Sequence, residues 1–142
     1  MAKRRRKTGA ALAWLGLLWA LPLTLFGALP ALAIRLTGGS CRRIDGPVPA
    51  WLIQGRLGDW LLQRHPVGAV NAMAIGHLVI AQCGAANRRI LRHELEHVRQ
   101  AACWGIAFPL AYLIASGWAL ARGRGAYWDN WFEVAARRAE GV

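Results

Sequence analysis

Acidic side chains are scarce in this chain. Seven Asp and Glu stand against 18 Lys and Arg in 142 residues, a formal charge of +11. Such an excess suits nucleic acid, anionic lipid or the topology signals of a membrane protein. Its distribution separates these. Lys3, Arg4, Arg5, Arg6 and Lys7 form one tight cluster, and the other basic residues are scattered without the interleaved aromatic ladder of an RNA-binding surface. Nucleic acid is therefore not an expected partner. Cysteine is sparse too: Cys41, Cys83 and Cys103 are odd in number, far apart and lack a Cys-x-x-Cys pair. That excludes a disulfide framework and a cysteine zinc knuckle, and leaves three small buried hydrophobes as the expectation. Beyond the basic start there is no internal repeat and no low-complexity segment.

Apolar residues are what the chain has in abundance. They make up 56% of it, with eight tryptophans, above ordinary soluble usage and suggestive of lipid contact. Residues 8–34 carry no charge and lie between the basic cluster and Arg35. As a helix they would extend about 40 Å, enough for a hydrocarbon core of about 30 Å. The positive-inside rule then keeps residues 1–34 as a cytoplasmic amino terminus plus a single membrane anchor in the cell membrane, and places the remainder of the chain outside the cytoplasm. Ala31-Leu32-Ala33 resembles a signal cleavage site, so secretion after cleavage is the alternative. A second uncharged segment, residues 101–121, is also long enough to span. Gly105, Pro109 and Gly117 should divide it, and it is expected as a buried helix that dips at most into the membrane surface.

Residues 35–49, rich in Gly and Pro, read as a linker, and a single domain is expected over 50–142. Trp51, Leu52, Leu57, Trp60, Leu61 and Leu62 suggest a short amphipathic helical region broken by Gly55 and Gly58. Residues 74–81 are apolar and β-branched between Gly68 and Gly84, which predicts a strand at the edge of a small sheet or hairpin. Asn87 should cap a helix over 88–104 whose stripe Leu91, Leu95, Val98 and Ala102 faces the core, with Gly105 just beyond its end. A second short helix should begin near Asp129-Asn130. The fold class expected is α+β, mostly helical, with a small hairpin or sheet, preceded by the transmembrane helix.

His93-Glu94-Leu95-Glu96-His97 carries the chemistry. Histidines four apart on a helix leave one face and can reach one ion. Zinc accepts neutral imidazole nitrogen, and a catalytic site uses three protein ligands. Glu94 stands next to the first ligand, the spacing at which a carboxylate serves as general base towards activated water. The downstream acids that could complete the set are Asp129, Glu133 and Glu140. Glu133 is chosen because its helix would fix its direction. Its bland alternative is an i,i+4 pair with Arg137. Asp129 is the substitute ligand or an N-cap, and Glu140 is close to a fraying end. Elsewhere, His77 is expected to be structural, Tyr127 to pack or donate to an oxyanion, and Arg99 and Gln100 to orient a ligand or face solvent.

The runs His93-Glu-Leu-Glu-His-Val-Arg-Gln100, Trp104-Gly-Ile-Ala-Phe108 with Tyr112, and Tyr127-Trp-Asp-Asn-Trp-Phe-Glu133-Val-Ala-Ala-Arg137 resemble the gluzincin metallopeptidases in their minimal bacterial form, over roughly residues 70–138. The resemblance implies a minimal zincin-like domain. It also implies Zn2+ on His93, His97 and Glu133, Glu94 as catalytic base, and a peptide or protein substrate paired to an edge strand near residues 75–80. The expected activity is a zinc-dependent, membrane-tethered endopeptidase. Two alternatives remain: a catalytically idle zinc-binding membrane adaptor of the same fold, and a two-span membrane protein with an accidental motif. The sequence sets no oligomeric state.

Overall fold

The computed structural model describes residues 15–66 and 68–141. The basic cluster and residues 8–14 of the expected membrane helix lie outside them. Among the described residues the chain is α+β, with helices on both faces of a small mixed sheet. After a helical stretch over 15–19 come α1 (Leu21–Leu36), β1 (Ser40–Ile44), β2 (Ala50–Gln54), α2 (Arg56–Gln63), β3 (Ala72–Ile75) and β4 (Leu78–Ala81). The chain continues through α3 (Arg88–Trp104), a 3-10 turn (Gly105–Ala107), α4 (Phe108–Ala121) and α5 (Trp131–Glu140).

The sheet order is β1-β2-β4-β3, with β2 and β4 parallel and both outer pairs antiparallel. Side-chain alternation along the two central strands explains their unbroken apolar runs, because each face is covered. Leu52, Val79 and Ala81 join Leu95 and Val98 of α3 in one core. Ile53 and Ile80 join Ala31 and Ile34 of α1 and Leu62 of α2 in a second core on the other face.

Several elements differ from the sequence expectation. Residues 35–49, expected as a linker, contain β1, whose five residues pair with β2. Residues 51–54, expected to be helical, form β2, and the helix starts only after Gly55. The single strand expected over 74–81 is the β3–β4 hairpin, turned at Gly76-His77. Gly76 has φ +60°, and a Cβ there would lie 2.4 Å from Thr24 Oγ1, so this turn accepts only glycine. The cysteines are exposed rather than buried.

The segment over 101–121 divides at Gly105, as expected, but Gly117 does not interrupt α4. Nor is α4 a buried helix: its inward face is Ala111, Ala115 and Ala119 with the half-buried Phe108 and Tyr112, and its other large apolar side chains are exposed. Helix α3 runs over the expected span, with Asn87 Oδ1 accepting from the Ile90 N–H at 3.0 Å and Gly105 at φ +56°. Asn130 caps α5 by accepting from the Phe132 N–H at 2.9 Å, and its amide donates to Tyr112 O and Ser116 Oγ. That buried side chain fixes where α5 starts relative to α4.

The described part of the expected membrane anchor packs on the sheet. Ile34 is fully buried, whereas Leu32 is 59% exposed. Ile34→Ala should therefore cost about 2–5 kcal/mol in unfolding free energy. Leu32→Ala should change it by less than about 0.5 kcal/mol. Urea unfolding in detergent, followed by tryptophan fluorescence, checks this; equal effects would mean that α1 is not part of the core.

Candidate metal centre

Helices α3 and α5 pack closely and bring three sequence-predicted ligands together. His93 Nε2 and His97 Nε2 are 3.1 Å apart, with ring planes at 76°. Glu133 faces both, Oε2 at 3.4 Å from His93 Nε2 and Oε1 at 3.3 Å from His97 Nε2. Ligand atoms of the three residues lie within 4.8 Å of one another, a group that could hold a metal ion. The alternative Glu133–Arg137 pair does not form among the described residues. Arg137 lies over the Trp128 ring at 5.1 Å and donates to the Trp128 carbonyl. Asp129 is turned away as well, accepting from the Gly125 N–H at 2.9 Å.

The neighbours of the two rings decide their protonation. His93 Nδ1 donates to Glu140 Oε1 at 2.8 Å, and Glu140 is itself paired with Arg89. His97 Nδ1 faces Gln100 Oε1 at 2.9 Å; Gln100 Nε2 donates to the Phe132 carbonyl at 3.0 Å, which sets the amide so that its oxygen meets the ring. Both Nδ1 atoms thus carry hydrogen, and in the neutral rings both Nε2 lone pairs point inwards. Glu133 Oε1 accepts from the Tyr112 hydroxyl at 2.8 Å, while the buried Oε2 has no hydrogen-bond partner among the described residues. Acceptor atoms converging without a donor repel one another until a proton or a cation lies among them. The set of two imidazoles and one carboxylate suits a divalent ion such as zinc.

The titration behaviour reflects that crowding. Burial opposes charge on both histidines, but Glu133 and Glu94 outweigh it and raise them above the ordinary imidazole value. Burial also opposes ionisation of Glu133, yet His93, His97 and Tyr112 hold its carboxyl well below the usual range. Glu94, 6% exposed, is raised mainly by burial and by Glu133, against the pull of His97, His93 and the Ala74 backbone amide of β3. It therefore holds a proton more readily than an exposed glutamate. Burial and Glu133 push the Tyr127 hydroxyl up to about 12, which places that phenol within the carboxylate's field.

Sequence reasoning leaves three contributors without a definite role. Gln100 is the orienting group for His97, whereas Arg99 binds Glu96 on the surface. Tyr112 is the hydroxyl donor to Glu133. Glu140, expected only as a fraying helix end, is seven residues from Glu133, a spacing that puts the two on one face of α5. His77 is fully buried in the hairpin turn, its N–H donating to Thr24 Oγ1 at 3.1 Å and its ring meeting the Pro49 carbonyl.

Glu140→Ala and Gln100→Ala should each weaken metal uptake about 10–100-fold, and Arg99→Ala should leave it unchanged; competition with a chromophoric chelator measures all three. Uptake should also fall as the pH is lowered. Protons compete for raised histidines, so the decline should begin above the ordinary imidazole value of about 6.5. A flat profile between about pH 8 and about pH 6, a range that brackets that value, would contradict the crowding of acceptors. Comparison of the chain with protein-family models, curated proteins and solved structures gives no match, which leaves the geometry of this site as the basis for a functional reading.

Proposed function

We propose that this chain is a zinc-dependent metallopeptidase with a minimal zincin-like domain of the gluzincin type, attached to a membrane and acting on peptide or protein substrates. The observation that carries the reading is the convergence of His93 Nε2, His97 Nε2 and the unpartnered Glu133 Oε2 beside a second buried carboxylate, Glu94. A convergence that needs only charge balance would be complete with Glu133. Glu94 adds a buried acid with a raised pKa, the property that suits a group taking up and returning a proton.

His93, His97 and Glu133 would hold the ion, with Glu140, Gln100 and Tyr112 fixing their directions. Zinc in such a site supplies a Lewis acid for a carbonyl and lowers the pKa of water to about 7. Glu94 accepts a proton from the attacking water and returns it to the departing amine. Strand β3 is an end strand of the sheet, and Ala74 within it stands beside Glu94. A substrate added to that edge by backbone pairing would pass over the carboxylate. The Tyr127 hydroxyl, kept protonated far above neutral pH, is available as a donor to a developing oxyanion.

Elemental analysis after dialysis against a mild chelator, with hydrolysis of a quenched fluorescent peptide library, tests the reading. Wild type should retain about one zinc per chain, as a three-ligand site requires, and His97→Ala and Glu133→Ala should lose it. Glu94→Gln should keep the metal and lose about 10²–10⁴-fold in rate. Metal retention with no hydrolysis by the wild type would assign the chain to the idle zinc-binding adaptor, and a metal-free wild type would overturn the reading altogether.

A further inference from the structure

Helices α1 and α4 are packed inside out. Towards the protein, α1 turns Gly27, Ala31 and Ile34, and α4 turns Ala111, Ala115 and Ala119, with Phe108 and Tyr112 half-buried beside them at the site. Away from it they present Phe26 and Leu29, each 68% exposed, with Leu113 and Trp118 at 66% and 54%. A helix on a water-facing surface has the opposite pattern, with its largest apolar groups inside. These outer faces have almost no hydrogen-bonding groups, so their covering must ask for none. The helical stretch before α1 reaches the turn into α4, where the Trp19 indole lies against Gly105.

Charge identifies the covering. No Asp or Glu occurs before Asp45 or between Glu96 and Asp129. The charges that end the two helices are Arg35 on α1 and Arg122 and Arg124 after α4, all exposed. Arg122 lies over the Trp118 ring at 4.5 Å, pairing the two residue types that anchor helices at a membrane interface. An apolar face edged only by arginine complements a bilayer with anionic headgroups.

The sheet decides how α1 meets that bilayer. Residues 15–36 would extend about 33 Å, so length alone permits a crossing. The inner face of α1, however, is covered along its course: Gly27 lies against Ile75, Thr24 binds the His77 N–H, and Ile34 packs against Gly39 and Gly55. A crossing α1 would carry the sheet into hydrocarbon with it, including the outer edges of β1 and β3, which have no strand partner among the described residues, and the exposed Arg42 and Arg43. Open sheet edges and unpaired arginines do not reside there. Within the helical run Arg88–Ala121, long and apolar enough to cross a membrane, the α3 half carries the charged candidate site. It too belongs outside the hydrocarbon. We propose that α1 lies in the plane of an anionic bilayer surface and, with α4, forms a lipid-docking wall that seats the protein in one leaflet without crossing it.

Depth measurements on the full chain test this. With Cys41, Cys83 and Cys103 replaced by serine, single cysteines at Leu18, Leu25, Leu32 or Leu113 would carry an environment-sensitive fluorophore. The proteins would be reconstituted into phosphatidylcholine vesicles with or without phosphatidylglycerol and quenched by lipids brominated at different chain positions. The labels at 18, 25 and 32 should report one common depth, about 5–10 Å into the headgroup–acyl boundary, and Leu113 should be quenched as well. A crossing helix would instead spread Leu18 and Leu32 over about 20 Å, with Leu25 deepest, and that result would overturn the proposal. Absence of quenching at Leu113 would show that something other than lipid covers α4 and would overturn the two-helix wall. Flotation should recover about tenfold more protein with phosphatidylglycerol, from several arginines each contributing near the surface; equal recovery on both lipids would overturn the anionic part of the proposal.

Discussion

Acceptor groups cannot share one buried point without positive charge among them, and much of this molecule is arranged around such a point. His93 and His97 present ring nitrogens at 3.1 Å, and Glu133 closes the set with a carboxylate that touches both. The arrangement is held from behind. Glu140 and Gln100 occupy the outer ring nitrogens, and Tyr112 occupies one oxygen of Glu133. Those partners come from α3, α4 and α5, so the packing of the helical half is also the assembly of the site. Gln100 joins the two functions directly: its oxygen orients His97, and its amide nitrogen ties α3 to the backbone of α5.

The legible parts of the fold are those that local chemistry determines. Asn87 and Asn130 cap helices because their side chains accept from amides two or three residues on. Gly105 ends α3 because it adopts a positive φ. The spacing of His93 and His97 needs only a helix. What escaped was non-local. Strand β1 is exposed over four of its five residues and has no alternating apolar pattern; only its pairing with β2 makes it a strand. Residues 51–54 could be helix or strand by composition, and their parallel register with β4 decides it. The ligand set shows the same division. Glu133 could be chosen as the third ligand, but the role of Glu140 depends on α5 lying beside α3 so that its last turn reaches His93.

The hairpin turn explains why a glycine and a buried histidine stand together outside the site. Gly76 approaches α1 so closely that no side chain fits, and His77 then donates its amide to Thr24 while its ring meets the loop before β2. Thr24 is itself held by the Ala20 carbonyl one turn earlier. The tip of the hairpin is thus clamped to α1 by backbone-level contacts, which specify one geometry better than apolar packing does.

That clamp links the outer wall to the chemistry. Strand β3 runs from the Ala72 end to the Gly76 turn, and Ala74, two residues before the turn, has its amide beside Glu94. A displacement of α1 is therefore felt at the hairpin tip and, through one short strand, at the carboxylate proposed as base. Just before α1, Trp19 lies against Gly105 in the turn that leads into α4, whose Phe108 and Tyr112 rings stand next to His97 and Glu133. Helix α4 thus borders the candidate site directly, while α1 is linked to it through the hairpin and the turn at Gly105. A surface that held both helices in place would remove freedom from the groups around Glu94 and Glu133, and preorganisation of that kind is what the proposed proton transfer would require.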